Sequence, residues 1–306
     1  MITAHVRWML RCPTCGGQLE GERNDEGPGE GFRCDRCNDR YPVVEGVPRL
    51  MGRAVDGNNV SESFGYQWKA RELGRFEKTT LYGMTMEDEQ RAFLDALGIT
   101  AKEVKGKSVL DAGCGDGALL QALAGMGAEV VGLDINRSIT VAARRCCGLT
   151  NVSILQADLS RPCFSPASFD FVWCEGVIVH TPHPFQTFSS LTQLIKPGGR
   201  LYLWVYPLER PSIYQRVRDL LIAPYLIPRP LLLYLCYALA AALYPLFPLT
   251  GRTRAFRTIA FELFDNLSPR YQWRFREADI RSWLQEAGFE DIRTTGRIGL
   301  SARRVV

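Results

Sequence analysis

The chain has 306 residues, 46% of them hydrophobic and 23% charged, with a formal net charge of +4. That is enough apolar material for one substantial α/β core with a small satellite, and it leaves no need for a second large domain. The opening stretch Met1–Leu10 contains no apolar leader run or cleavage site, so a soluble, cytoplasmic protein is expected.

In chain order, the first signal is a set of four cysteines. Cys12-Pro-Thr-Cys15 and Cys34-Asp-Arg-Cys37 are two C-x2-C knuckles at the spacing of a zinc ribbon. The segment between them, with Gly16, Gly17, Gly21, Gly27, Gly29 and Gly31, is too polar and glycine-rich to build a core, so structural Zn2+ held by Cys12, Cys15, Cys34 and Cys37 is expected to supply the folding energy. A disulfide pair is the rival, disfavoured in an intracellular setting. The other cysteines, Cys114, Cys146, Cys147, Cys163, Cys174 and Cys236, read as small apolar fillers. Residues 1–52 are thus expected to form the ribbon and 53–105 a linker and helical cap. In the cap, Ser63-Phe-Gly-Tyr-Gln-Trp68 concentrates aromatic rings, as a lid over a ligand or as a hydrophobic anchor. Thr85-Met-Glu-Asp88 predicts a capping box that opens a helix with Phe93, Leu94 and Leu97 on one face.

Val109-Leu-Asp-Ala-Gly-Cys-Gly-Asp-Gly117 reads as a strand, a glycine turn and a helix start carrying two carboxylates. The spacing Gly113-x-Gly115-x-x-Ala118 also satisfies a dinucleotide fingerprint. A pyrophosphate, however, needs the electropositive helix start for itself, and Asp111 and Asp116 place negative charge there. A cationic ligand fits better, and S-adenosylmethionine, with a sulfonium and an ammonium group, has that character. About twenty residues on, Val130–Asp134 reads as a second strand ending in a carboxylate suited to ribose hydroxyls.

On these residues the chain resembles the class I S-adenosylmethionine-dependent methyltransferases, whose first motif appears as Asp111, Gly113, Gly115 and Gly117. Gln156-Ala-Asp-Leu159 resembles the segment after their third strand. Ser168–His180 is similar to the fourth strand and the loop beside the methyl donor, and Leu194–Leu203 to the Pro-Gly-Gly turn and fifth strand. The resemblance covers about residues 105–206. It implies a Rossmann-like, doubly wound seven-stranded sheet over 106–306. It also implies a cofactor site of Asp111, Gly113, Gly115, Asp116, Gly117, Asp134, Ile135, Asp158, Leu159 and Glu175, with Asp158 near the adenine. His180, just after the fourth strand, is the best-placed general base, although in this family it often only supports the loop. A metal at His180-x-x-His183 is disfavoured by Pro182 and Pro184. Tyr41–Leu50 resembles the tail of the small zinc-ribbon proteins that activate methyltransferases. That implies such a ribbon fused in cis, docking on or extending the catalytic domain, or else touching RNA.

The stretch Leu220–Leu249 is the least typical, since Leu231–Leu249 contains 19 residues and no charge. A single crossing of a bilayer would put parts of one sheet on opposite sides, and Pro224, Pro228, Pro230, Pro245 and Pro248 divide the stretch. An apolar helical insertion after the fifth strand, at about 211–262, is expected instead. It could serve as a substrate pocket, a membrane-surface contact through 220–249, or a dimer contact, with Arg229, Arg252, Arg254 and Arg257 available to anionic groups. Residues 211–306 hold 14 Arg and no Lys against 8 acidic residues, so the basic surface lies there. Tyr271 and Trp273 are expected either to stack on a substrate or to bury themselves. A helix at Ala278–Gly288 and strands within Asp291–Val306 should finish the fold. The expected activity is methyl transfer to a small-molecule or lipid-linked acceptor. The alternatives are an RNA methyltransferase docking through ribbon and arginines, and a non-enzymatic cofactor-binding subunit. The chain is expected in the cytoplasm, with a membrane periphery as the variant.

Overall fold

The computed structural model describes residues 2–23, 30–52, 58–77, 84–161, 163–209, 211–221, 223–246, 255–296 and 299–305. Gly27, Gly29, Pro248, Arg252 and Arg254 lie outside them.

The chain begins with helix α1 (Ala4–Met9), where Thr3 Oγ1 accepts from the Val6 N–H at 3.3 Å and caps the first turn. Strands β1 (Leu19–Arg23), β2 (Glu30–Cys34), β3 (Arg40–Val44) and β4 (Val47–Leu50) follow as an antiparallel meander. Glu45 and Gly46, both at positive φ, make the tight two-residue turn between β3 and β4. Helix α2 (Asn58–Glu72) leads to α3 (Met86–Leu97) and the single turn α4 (Ala101–Val104). The predicted capping box of α3 is present: Thr85 Oγ1 accepts from the Asp88 N–H at 3.2 Å, and Asp88 Oδ2 accepts from the Thr85 N–H at 3.0 Å.

The alternating core comprises β5 (Ser108–Ala112), α5 (Ala118–Gly125), β6 (Glu129–Asp134), α6 (Thr140–Arg145), β7 (Val152–Ala157), β8 (Phe169–Glu175), α7 (Pro184–Gln193) and β9 (Ile195–Trp204). Strands β5 and β7 are buried along their whole length, as befits parallel strands covered on both faces. After the short β10 (Tyr206–Pro207) come three helices, α8 (Ile213–Leu220), α9 (Arg229–Leu243) and α10 (Phe256–Leu267). The chain closes with β11 (Arg274–Phe275), α11 (Glu277–Glu286), β12 (Phe289–Thr295) and β13 (Gly299–Arg304). Among the described residues no helix is long and apolar enough to cross a membrane.

The sheet order is β1-β2-β3-β4-β7-β6-β5-β8-β9-β13-β12. The seven strands from β7 to β12 form the doubly wound unit, with β13 antiparallel to both neighbours. The expectation of a seven-stranded sheet is corrected here, because among the described residues the sheet has eleven strands. The reason is the edge of β7. Its unpaired backbone is taken by β4, which runs parallel to it with Arg49 opposite Gln156 and Leu50 opposite Ala157. Arg49 Nη1 also donates to Gln156 Oε1 at 3.1 Å. The ribbon and sheet share one core, in which Leu10, Phe32, Tyr41 and Leu50 join Leu110, Leu133 and Leu155.

Candidate functional site

Four carboxylates stand at or beside the carboxyl ends of adjacent strands: Asp111 on β5, Asp134 on β6, Asp158 after β7 and Glu175 on β8. They border a cavity of about 680 Å3, which Gly113, Gly115, Asp116, Ile135 and Leu159 also line. The order in which these strands lie side by side brings together residues up to 64 positions apart, and a crevice outside the carboxyl ends is where such sheets bind ligands.

The glycine turn is held by Asp134. Its Oδ2 accepts from the Gly115 N–H and its Oδ1 from the Asn136 N–H, both at 2.9 Å. Gly113 and Gly115 have φ of +101° and +54°, in the left-handed region that favours glycine, and Gly115 lies directly beneath the indole of Trp68. Gly117, by contrast, does not line the cavity. It caps the start of α5 and packs on Ala142. Asp116 reaches the cavity wall, but its Oδ2 is clasped by Arg71 and, at 2.8 Å, by Arg145 Nη2, so its charge is already matched. Asp158 faces the cavity while its Oδ1 accepts from the Ser160 N–H at 2.8 Å.

Asp111 and Glu175 are different, and a third carboxylate joins them. Glu89, on α3, is 6% exposed and lines the cavity, and its Oε1 has no hydrogen-bond partner. Burial pushes its pKa up to about 7, with Glu175 adding repulsion. Asp111 is raised well above the usual carboxylate range by burial and then by Glu89, Asp134 and Glu175. Glu175 opens to the cavity; the desolvating wall around it raises its pKa, and its Oε2 accepts from Trp173 Nε1 at 3.2 Å. A concave site with crowded carboxyls on its wall favours a ligand that brings positive charge. The sequence did carry a signal for Glu89, which precedes Phe93 by one helical turn and so interrupts the apolar stripe of α3 with a carboxylate.

His180 follows β8 on a short 3-10 turn and is 3% exposed. Its Nδ1 lies 2.8 Å from the Tyr271 carbonyl oxygen. A carbonyl can only accept, so Nδ1 carries the proton and Nε2 keeps its lone pair. That Nε2 lies 3.5 Å from Tyr206 Oη, and the Phe64 ring meets the imidazole edge-on at 5.1 Å. Burial lowers the His180 pKa to about 4, so the ring is neutral near pH 7. Beyond His180 the cavity continues between Tyr206, Tyr214, Gln215, Glu262, Asp265 and Asn266, contributed by β10, α8 and α10. Asp265 Oδ1 accepts from Gln67 Nε2 at 2.9 Å, tying α10 to α2. Asp265 and Asn266 belong to the stretch Phe264–Trp273, whose polar and aromatic mixture suits a loop facing the site but which begins inside α10. Tyr206, Tyr214, Gln215 and Glu262 left no motif, because only the packing of β10, α8 and α10 turns them inward. Tyr271 and Trp273 stand outside the cavity lining. Trp273 is tied to the loop through its own N–H to the Val179 carbonyl and its Nε1 to the Thr181 carbonyl, both at 2.9 Å.

In the ribbon, the Sγ atoms of Cys12, Cys15, Cys34 and Cys37 all lie within 4.8 Å of one another. Cys15 and Cys34 are 3.4 Å apart and Cys12 and Cys37 are 3.6 Å apart, far too long for disulfides. Four sulfurs around a tetrahedral zinc with bonds of about 2.3 Å would sit about 3.8 Å apart, so the donor set fits. Cys34 Sγ also accepts from the Arg36 and Cys37 N–H groups at 3.4 and 3.5 Å, and Cys15 Sγ from the Gly17 N–H at 3.4 Å.

Residues 110–203 match the family described as Methyltransferase domain. Among curated proteins, the ubiquinone biosynthesis O-methyltransferase of Methylococcus capsulatus is 31% identical over 100 residues, 32% of this chain and 42% of that protein. The protein of the same name from Saccharophagus degradans is 30% identical over 140 residues, 43% of this chain and 59% of that one. The matches thus span about half the length of these relatives. Among solved structures, an N-methyltransferase 2 of Haemonchus contortus with bound phosphomonomethylethanolamine and S-adenosylhomocysteine superposes with a TM-score of 0.50. It is 17% identical, over 78% of this chain and 44% of that one, a likeness of fold. The chain is therefore built around a methyltransferase domain of the class I fold.

Proposed function

We propose that the protein transfers a methyl group from S-adenosylmethionine to a small-molecule or lipid-linked acceptor. The observation that carries this reading is the division of the cavity. One end is walled by the glycine turn and the carboxyls of Asp111, Glu89 and Glu175, the other by Tyr206, Tyr214 and the polar side chains of α8 and α10.

S-adenosylmethionine supplies the electrophilic methyl group when bound. In this reading Asp111, Glu89 and Glu175 answer its positive charge, while Asp134 takes its ribose and Asp158 its adenine. Gly113 and Gly115 let the ligand approach the backbone. His180 Nε2, with its tautomer fixed by the Tyr271 carbonyl and Tyr206 Oη 3.5 Å away, is in this reading the base that takes a proton from the acceptor, directly or through the Tyr206 hydroxyl. Holding the acceptor's nucleophilic atom in line with the methyl group is the larger part of the catalysis. The inserted helices exclude water from that end by packing Leu232, Phe261 and Phe264 behind the polar lining.

Cys12, Cys15, Cys34 and Cys37 hold a structural zinc in this reading, and the ribbon acts through β4 as an extension of the catalytic sheet. An acceptor end walled by Tyr206, Tyr214 and the side chains of α8 and α10 suits a compact or single-tailed molecule better than folded RNA. The test is to incubate the protein with methyl-labelled S-adenosylmethionine and a cell extract separated into RNA, protein, polar and organic-soluble fractions. Label in a small-molecule or lipid fraction supports the reading, and label confined to RNA overturns it.

A further inference from the structure

Helix α9 buries Leu232, Leu233, Cys236 and Ala240 against its neighbours in the inserted layer. Its other face, at the same three-to-four-residue spacing, is Leu231, Tyr234, Ala238, Ala241 and Ala242, all exposed. Leu231 is 60% and Tyr234 71% exposed. A helix on the surface of a globular protein normally turns charge outward, yet Arg229 at the first position is the only charged residue of α9. The bare surface continues at both ends of the helix, where Leu226 is 72% and Tyr244 48% exposed, and Leu220 at the end of α8 is 84% exposed.

The segment that carries this surface is basic, with Asp219 of α8 and Glu62 of α2, which faces Arg229, at its margin. From Leu220 to Phe261 the sequence contains no Asp or Glu but four arginines, Arg229, Arg252, Arg254 and Arg257. Arg216 and Arg257, on α8 and α10, are exposed. Two copies meeting symmetrically through this face would bring these arginines together without acidic partners from the segment. An anionic bilayer supplies the missing complement, with apolar depth for leucines and an interface suited to tyrosine. At 15 residues, α9 is about 22 Å long by helical rise, too short to cross a hydrocarbon core of about 30 Å.

We propose that the outer face of α9, extended by Leu220, Leu226 and Tyr244, docks the protein on the surface of an anionic lipid bilayer. Helix α9 lies in the interface plane, and α10, directly beneath it, carries Glu262 and Asp265 of the acceptor end. Packed helices sit about 8–10 Å apart, so docking holds that end of the cavity close to the membrane.

The test is co-sedimentation of the full chain with phosphatidylcholine vesicles, with and without phosphatidylglycerol, and needs no methyl transfer. The expected result is binding to the phosphatidylglycerol vesicles that weakens with added salt. Leu231→Glu with Tyr234→Glu should lower the partition more than tenfold, since burying one leucine already contributes about that much. Both positions face solvent, so the melting temperature should stay unchanged. Failure of the native protein to bind these vesicles overturns the proposal. So does equal binding by a folded double variant, or a lipid-free dimer in sedimentation equilibrium that the double variant dissociates.

Discussion

The indole of Trp68 lies on Gly115 so closely that a methyl group there would sit 2.6 Å from Cζ2 and 2.8 Å from Cε2. A residue of α2 therefore shapes the glycine turn from outside the matched residues. Gly115→Ala must push the ring away while holding a left-handed φ of +54°, and overpacking of this kind costs about 1–3 kcal/mol. Adding Trp68→Ala should recover the steric part, so a double-mutant cycle in urea should show coupling between the two sites. Strictly additive losses would remove Trp68 from the account.

Glu89 gives a sharper test of the cation site. Its pKa of about 7 in the unliganded protein means that a positive ligand must favour the ionised form. Affinity for S-adenosylmethionine should rise between about pH 6 and about pH 8, with proton release measurable by calorimetry in buffers of different ionisation heat. Glu89→Gln should weaken binding about tenfold, as expected for one hydrogen bond to a charged group, and flatten that pH dependence. An unchanged affinity with an unchanged profile would place the ligand out of its reach.

His180 makes stability depend on pH. Its pKa is about 4 folded against 6.5 for the free side chain, so between those values the unfolded chain binds more protons. Its stabilising contribution is present above about pH 6.5 and is lost as pH falls towards 4, by about 3 kcal/mol over the whole window. Glu89 works in the opposite sense: its folded pKa is raised, so its contribution fades as pH climbs from about 4.5 to about 7. The comparison must therefore be with His180→Gln. Urea titrations across this range should show the histidine slope only in the native protein. If His180 is the acceptor's base, the same variant should also lose about a hundredfold in kcat.

The four-cysteine cluster predicts one zinc per chain by atomic absorption. Cys37→Ser should lose the metal. Because β4 pairs with β7, the damage should spread inward, with faster amide exchange on Leu50 and at the edge of the sheet. Structural zinc sites contribute on the order of 10 kcal/mol in small domains, so chelation should lower the melting temperature by many degrees. Full-length protein that melts identically with and without chelator would argue against a structural metal.

Where chemistry is encoded locally, the sequence was readable. The glycine turn at 113–117, the strand-end carboxylates Asp134 and Asp158, the capping box at Thr85 and Asp88 and the cysteine knuckles depend on neighbours a few residues away. Each leaves a spacing that backbone geometry requires. What joined distant segments was not readable. Nothing in Val47–Leu50 states that it will pair with Val152–Ala157, because the open edge of a strand is defined only once the rest of the sheet exists. Likewise, Asp116 looked like a ligand carboxylate until Arg71 and Arg145 folded onto it, and only the packing of α3 brought Glu89 to the wall it shares with Asp111 and Glu175. By itself the sequence determined the fold type and the chemistry of the cofactor. Tertiary structure decided which charges are matched, which are left for a ligand, and which side chains of α8 and α10 face the cavity, because burial and pairing are properties of the assembled molecule.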